Sequence, residues 1–190
     1  YEVVKYCFEN RCPGGNSDIS IFYDYDHDRA LKMMKLLRKF SVPWHIDTCS
    51  AVAEDGNFEA FKWAVSQGCP WDRQKCANYA ARHGNIEVLK WMRSRNVVFE
   101  ENICMWAAEN RHLETIKWLR SMGCPLNKCT FVNARTSAIF EYCIENDVPF
   151  HDHFYERVID TLPDPIPIIK LLRDSGYPWH PSACTQAARN

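Results

Sequence analysis

No stretch of this sequence approaches the roughly 18 consecutive apolar residues of a membrane-crossing helix, so neither a membrane span nor a membrane partner is expected. There is no Asn-x-Ser/Thr acceptor, and the first residues lack the pattern of a signal peptide. No Cys-x2-Cys pair of the kind that holds structural zinc occurs. A phosphate-cradling glycine loop, a nucleophile elbow and a pair of carboxylates set for acid–base work are all missing. These absences leave no reaction with a visible site, so an enzyme is not expected, nor a cofactor or a metal. Excess charge is absent as well. The formal net charge is −1, which excludes steering to nucleic acid by overall charge while leaving a local basic patch open. With 46% hydrophobic residues, the composition is that of a folded chain.

What is present is a period. Seven segments end in a helical stripe followed by a corner, at Pro13, Pro43, Pro70, Val98, Pro125, Pro149 and Pro178, with a mean spacing of about 27.5 residues. Counting back from each corner aligns seven second helices: Glu2–Cys12, Leu31–Val42, Phe58–Cys69, Ile86–Val97, Leu113–Cys124, Ser137–Val148 and Ile166–Tyr177. Ala60/Phe61/Trp63/Ala64, Val88/Leu89/Trp91/Met92 and Thr115/Ile116/Trp118/Leu119 repeat one apolar stripe at i, i+1, i+3 and i+4. First helices are predicted over Thr48–Asp55, Cys76–His83, Ile103–Asn110 and Ala183–Asn190. Small pairs recur in them, Val52-Ala53, Ala80-Ala81, Ala107-Ala108 and Ala187-Ala188, and allow helices to approach closely. Gly56 and Gly84 then supply a left-handed turn, at a place where Arg111 stands in the central repeat at a cost of roughly 1 kcal/mol.

The pattern predicts an all-α solenoid in one array over residues 1–190. It comprises partial repeat 1–13, repeats 14–43, 44–70, 71–98, 99–125, 126–149 and 150–178, and partial repeat 179–190. Neither terminal repeat carries the polar face of a cap and the chain does not begin with Met, so a section of a longer array is expected. Three repeats depart from the rule. Residues 14–30 carry Asp24, Asp26, Asp28 and His27 and predict a long or irregular first helix. Asn127–Thr136 is about three residues short, leaving a clipped loop or helix. Pro163, Pro165 and Pro167 stiffen the entry to the last second helix, with Pro167 in its first turn, where a missing N–H does no harm.

The chemically suggestive residues obey the same period. Cys49, Cys104, Cys129 and Cys184, with Cys76 one step off, lie early in first helices. Cys12, Cys69 and Cys124 precede a corner, and Cys7 and Cys143 share a phase. That is how core-filling residues behave, so reduced cysteines in a cytosolic or nuclear compartment are expected rather than a disulfide framework. Trp63, Trp91 and Trp118 are predicted to form a buried ladder. Trp44, Trp71 and Trp179, with Phe99 and Phe150 as equivalents, follow the corners and either pack on the neighbouring repeat or stand at the rim as interface anchors. Lys35/Arg38, Lys62, Lys90/Arg93, Lys117/Arg120 and Lys170/Arg173 predict a basic stripe on the outer side of the second helices, interrupted by Glu141. His151 and His153, and the Asp24/Asp26/Asp28 run, receive no role, since neither completes a known ligand pattern.

Residues Ala80-Ala81-Arg82-His83-Gly84-Asn85-Ile86-Glu87-Val88-Leu89-Lys90 resemble the helix–turn–helix of ankyrin repeats, Ala-Ala-x-x-Gly-His-x-Glu-Val-Val. Gly68-Cys69 and Gly123-Cys124 fall where that family has Gly-Ala. Endings such as Lys117-Trp118-Leu119-Arg120 before Gly123-Cys124-Pro125 are similar to those of divergent ankyrin-like arrays of giant viruses, algae and oomycetes. The family's Thr-Pro-Leu-His start is absent, and the period is shorter than the usual roughly 33 residues. Short corners with little or no strand are therefore predicted in place of long hairpin fingers. The resemblance implies a protein–protein interaction scaffold that holds an unidentified protein on the concave or corner surface. Phase points to Asp72, Arg73, Asn78, Arg82, Met105 and Glu109 as contact positions. The alternative is binding of nucleic acid or an acidic surface through the basic stripe.

Overall fold

The computed structural model describes residues 2–9, 27–149, 154–179 and 185. Among these there are twelve helices and no strand. Most of residues 14–30 with Asp24 and Asp26, the His151/His153 pair, Phe150, Cys12, Cys184 and, apart from Thr185, the fragment 183–190 lie outside the described residues. The chain divides into two compact units, Tyr1–Val97 and Val98–Asn190, with the division falling at a repeat corner.

The first unit holds α1 (Glu2–Glu9), α2 (His27–Lys39), α3 (Thr48–Asp55), α4 (Phe58–Ser66), α5 (Arg73–Arg82) and α6 (Ile86–Ser94). α3 packs antiparallel partner α4, and α5 packs α6, as two helix pairs; α3 then stacks on α5, and α2, α4 and α6 stack in sequence. The second unit holds α7 (Ile103–Glu109), α8 (Leu113–Ser121), α9 (Lys128–Val132), α10 (Ser137–Glu145), α11 (Phe154–Thr161) and α12 (Ile166–Asp174). There α9 touches both α7 and α11, and α10 stacks on α12. A lone pair of such short helices cannot bury its apolar side, and each stacking partner supplies the missing wall.

The second helices start where the periodicity placed them at Phe58, Ile86, Leu113, Ser137 and Ile166, but they end three residues earlier than expected. One turn accounts for the difference. After α2, α4, α6, α8, α10 and α12 the chain enters the left-handed region at Ser41, Gly68, Asn96, Gly123, Asp147 and Gly176. The next residue then donates its N–H back across the last turn, as in Cys69 to the Ala64 carbonyl at 3.0 Å and Val97 to the Met92 carbonyl at 3.1 Å. This is the Schellman closure, which satisfies carbonyls that a helix end leaves open and turns the following apolar residue inward. Cys69, Val97, Cys124 and Val148 follow four of these turns and are buried, while Val42 and Tyr177, after Ser41 and Gly176, are half-buried. The corner cysteines are thus interchangeable with valine in role.

Start signals are equally local. Asn57, Asp72, Asn127 and Thr136 cap α4, α5, α9 and α10, each side chain accepting the N–H three residues on. Asn85 does something less local. Its amide donates to the Ala53 and Glu54 carbonyls at 2.8 and 2.9 Å, tying the α5–α6 turn to the end of α3 in the preceding repeat. A Cβ built at Gly56 would lie 2.5 Å from the Asn85 Oδ1, and Gly56 has φ of 79°, so glycine is required there twice over.

Candidate partner-binding surface

The first helices set the surface. α5 buries Cys76, Ala77, Ala80 and Ala81, and α7 buries Ile103, Cys104, Ala107 and Ala108, at i, i+1, i+4 and i+5. Small side chains at these positions draw neighbouring helices together and leave the residues between them on the other side. In α5 these are Asn78 and Arg82, both half-buried, preceded by exposed Asp72 and Arg73. In α7 they are Met105 and Glu109, also half-buried. The six positions chosen from phase are therefore at least partly accessible. Four cluster on α5 and its N-cap in the first unit, and two lie on α7 in the second. The Oδ1 of Asn78 is shielded from solvent and has no hydrogen-bond partner among the described residues. Asp72 spends its carboxylate on the Lys75 N–H at 2.9 Å.

Charges on the first-helix side of the first unit are paired between repeats. Lys75 of α5 holds Asp47 at the start of α3 in a close charged hydrogen bond, and this keeps the Asp47 carboxyl below and the Lys75 ammonium above their ordinary ranges. His83 lies 3.3 Å from Glu54. In the second unit the comparable position is neutral, with Asn127 donating to Asn102 at 3.0 Å.

Most of the described cysteines are buried, protonated thiols, and Cys69, whose thiol is held lower by its hydrogen bond with Cys49, is buried as well. Cys49 shares a hydrogen bond with Cys69, and that bond together with burial holds the Cys49 thiol protonated. Burial pushes Cys76, Cys104 and Cys143 up to about 12, so none is a nucleophile near neutral pH. Cys129 alone among the described cysteines with assigned burial is half-buried. No group of three or more His, Cys, Asp or Glu is placed to hold a metal ion among the described residues.

Two aromatic expectations change. Trp63, Trp91 and Trp118 are half-buried rather than a buried ladder. The stripe buries i, i+1 and i+4, as in Ala60, Phe61 and Ala64, while the tryptophan at i+3 lies at its margin. There each meets the corner aromatic of its own repeat: Trp44 with Trp63 at 5.9 Å, Trp71 with Trp91 at 6.1 Å and Phe99 with Trp118 at 6.3 Å. Trp71 also packs edge-on against buried Phe61 of the preceding repeat, at 5.8 Å. The corner aromatics thus pack and stay partly open at once. Trp179 is 50% exposed and touches Tyr155.

On the second helices, Lys35, Lys62, Lys90, Arg93, Lys117, Arg120, Lys170 and Arg173 are exposed, and Arg38 is half-buried. Lys90 and Lys117 are each engaged by the glutamate one turn before, Glu87 at 2.8 Å and Glu114 at 2.9 Å. Two strong members of the basic stripe are therefore locally neutralised.

A model of ankyrin repeats, in three copies, matches residues 49–146, more than half of the chain. The chain belongs to the ankyrin-repeat family. No curated protein matches it. The match starts in α3 and ends just after α10, so it covers the helix pairs with the most regular turns in both units. Ankyrin repeats are generally protein–protein interaction modules without enzymatic activity, and these repeats lack the strands of a hairpin finger among the described residues. No helix among the described residues is long and apolar enough to cross a membrane. Sequence reasoning missed the Asn85 clamp and the arginines that lie over the corner tryptophans. The second could have been found from the recurrence of Arg or Lys within a few residues of each Trp.

Proposed function

We propose that this ankyrin-repeat chain recognises a protein partner through its first helices and the corners before them. The contact residues are Asp72, Arg73, Asn78 and Arg82 in the first unit and Met105 and Glu109 in the second. One observation supports this reading most. α5 and α7 keep the same four buried places and share an Ala-Ala pair at the last two, whereas the partly exposed positions of the same phase differ between them: Asn78 and Arg82 in α5, Met105 and Glu109 in α7. A packing-only surface has no need for such variety, and a recognition surface does.

A photo-cross-linking side chain placed at Asn78 or Met105 is expected to capture the partner, and the same group at Arg93 or Arg120 is expected not to. The reverse pattern would move recognition to the second helices. Binding of nucleic acid through the basic stripe remains the competing reading, and it carries a different signature: affinity falling steeply with salt and with Lys90, Arg93, Lys117 and Arg120 changed to Glu. The Glu87–Lys90 and Glu114–Lys117 pairs reduce the charge available for that mode.

A further inference from the structure

Two corner tryptophans of the first unit and one tryptophan of α6 have an arginine over the ring. The Arg38 guanidinium lies 5.1 Å from the Trp44 ring centre, Arg73 lies 5.8 Å from Trp71, and Arg95 lies 5.0 Å from Trp91. Trp44 meets Trp63 edge-on and Trp71 lies tilted against Trp91, so two clusters, Arg38–Trp44–Trp63 and Arg73–Trp71–Trp91–Arg95, recur on consecutive repeats. Trp63 and Trp91 occupy the same phase of the stacked helices α4 and α6, which places the two clusters along one edge of this unit. All four tryptophans are half-buried, and Arg73 and Arg95 are exposed.

The arginines along this edge stand apart from the ion pairs of the unit. On the first-helix side of the same unit, Lys75 and His83 each face a carboxylate, Asp47 and Glu54. Arg38, Arg73 and Arg95 have no ion-pair partner among the described residues; Arg38 donates instead to the Val42 carbonyl at 2.8 Å. The nearest acid in sequence, Asp72, is engaged as the cap of α5. Helix electrostatics explain part of this. Arg38 and Arg95 sit at the ends of α2 and α6, where the dipole favours a cation. Arg73 is in the first turn of α5, where the dipole disfavours one, so folding gives no reason for its charge. A guanidinium beside an indole can keep N–H donors free for a carboxylate, and ring surface left open accepts an apolar side chain.

We infer that this edge binds an acidic peptide segment, its carboxylates on Arg38, Arg73 and Arg95 and its apolar side chains against the open faces of Trp44, Trp63, Trp71 and Trp91. The inference rests on the reading that the chain recognises a protein, and it adds to the first-helix surface an edge made by the corners and by Arg38, Trp63, Trp91 and Arg95 of the second helices and their ends. Opposite charge at alternate places and an apolar contact between them match the alternation of guanidinium and indole along the edge.

The test titrates the full chain with a labelled peptide of alternating Glu and Leu, read by fluorescence anisotropy, beside the Lys–Leu analogue and an oligo-dT strand. The Glu–Leu peptide is expected to bind saturably and the Lys–Leu peptide not at all. Arg73→Glu with Arg95→Glu should weaken the acidic peptide by at least about tenfold, while Arg73→Lys with Arg95→Lys, which keeps charge and loses the planar fork, should cost several-fold less. Equal binding to wild type and the double Glu variant overturns the inference, and so does tighter binding of oligo-dT than of the acidic peptide. If the acidic peptide fails while a cross-linker at Asn78 still captures a partner, the inference falls and the broader reading stands; if both fail, the reading itself falls.

Discussion

α5 in the first unit and α11 in the second bury the same four places with opposite materials. α5 uses Cys76, Ala77, Ala80 and Ala81; α11 uses Phe154, Tyr155, Val158 and Ile159. Small residues draw α3 and α5 close enough for side chains to clamp across repeats, as Lys75 does on Asp47 and Asn85 on the end of α3. Large residues fill a wider space. Phe131 of the shortened α9 lies flat on Phe154 with ring centres 3.7 Å apart, Phe140 closes on Phe131 at 4.9 Å, and the Tyr155 hydroxyl donates to the Tyr177 carbonyl at 2.8 Å. One frame therefore tolerates two interiors. The first unit buries Phe61 but keeps its tryptophans at the edge beside Arg38, Arg73 and Arg95, whereas the second unit encloses a cluster of Phe131, Phe140, Phe154 and Tyr155. The difference teaches that an aromatic residue in this chain is informative about recognition only at the edge.

The contrast can be broken by exchanging the materials. Phe154→Ala removes a fully buried ring from the aromatic stack and should destabilise the second unit by about 3–5 kcal/mol in a denaturant titration, with the first unit's transition little changed. Ala80→Leu places a large side chain in the tight interior and should cost about 1–3 kcal/mol, this time in the first unit. A neutral result for either would mean that the two interiors are not specialised. Asn85→Ala leaves the Ala53 and Glu54 carbonyls without their side-chain donor and should cost about 1–3 kcal/mol, with hydrogen exchange rising at the end of α3 before it rises in α5.

Smaller effects sharpen the comparison at the turns. Arg111 takes φ of 69° where Gly84 takes 74°, so Arg111→Gly should stabilise by up to about 1 kcal/mol, read as a rise in melting temperature, and Gly84→Ala should destabilise by a similar amount. The smallest effect belongs to Asp47. Its carboxyl is held below the ordinary value by Lys75, so the pair contributes stability above the unfolded carboxyl's pKa and loses it as pH falls through the lower folded value. Both side chains are about 40% exposed, so Asp47→Asn should cost less than about 1 kcal/mol near neutral pH. That cost should vanish in acid.

Much of this architecture was legible in the sequence because it is local and repeated. The starts of the second helices, the left-handed turns at Gly56 and Gly84, the strained Arg111 and the clipped α9 all follow from spacing and turn chemistry. The helix ends were less legible. Ser41, Asn96 and Asp147 enter the left-handed region without glycine, and periodicity runs on through that turn because the residue after it, Val42, Val97 or Val148, is apolar. Trp63, Trp91 and Trp118 read as core because they share the stripe's phase. Only the packing of the corner aromatics shows that they lie at its margin. Asn85 was hidden for a different reason, since its partners are more than thirty residues away. The candidate surface was legible only as the remainder that the period leaves free, and a remainder says where recognition is possible without saying what is recognised.

In this chain the frame carries stability, and the positions between frame residues are proposed to carry recognition. The direct measurement is Arg82→Glu combined with Glu109→Lys, with thermal unfolding and partner capture read on the same preparation. The expected result is an unfolding midpoint close to that of the wild-type chain and capture reduced by about tenfold or more. Undiminished capture, or a midpoint that falls as far as it does in Ala80→Leu, would contradict it.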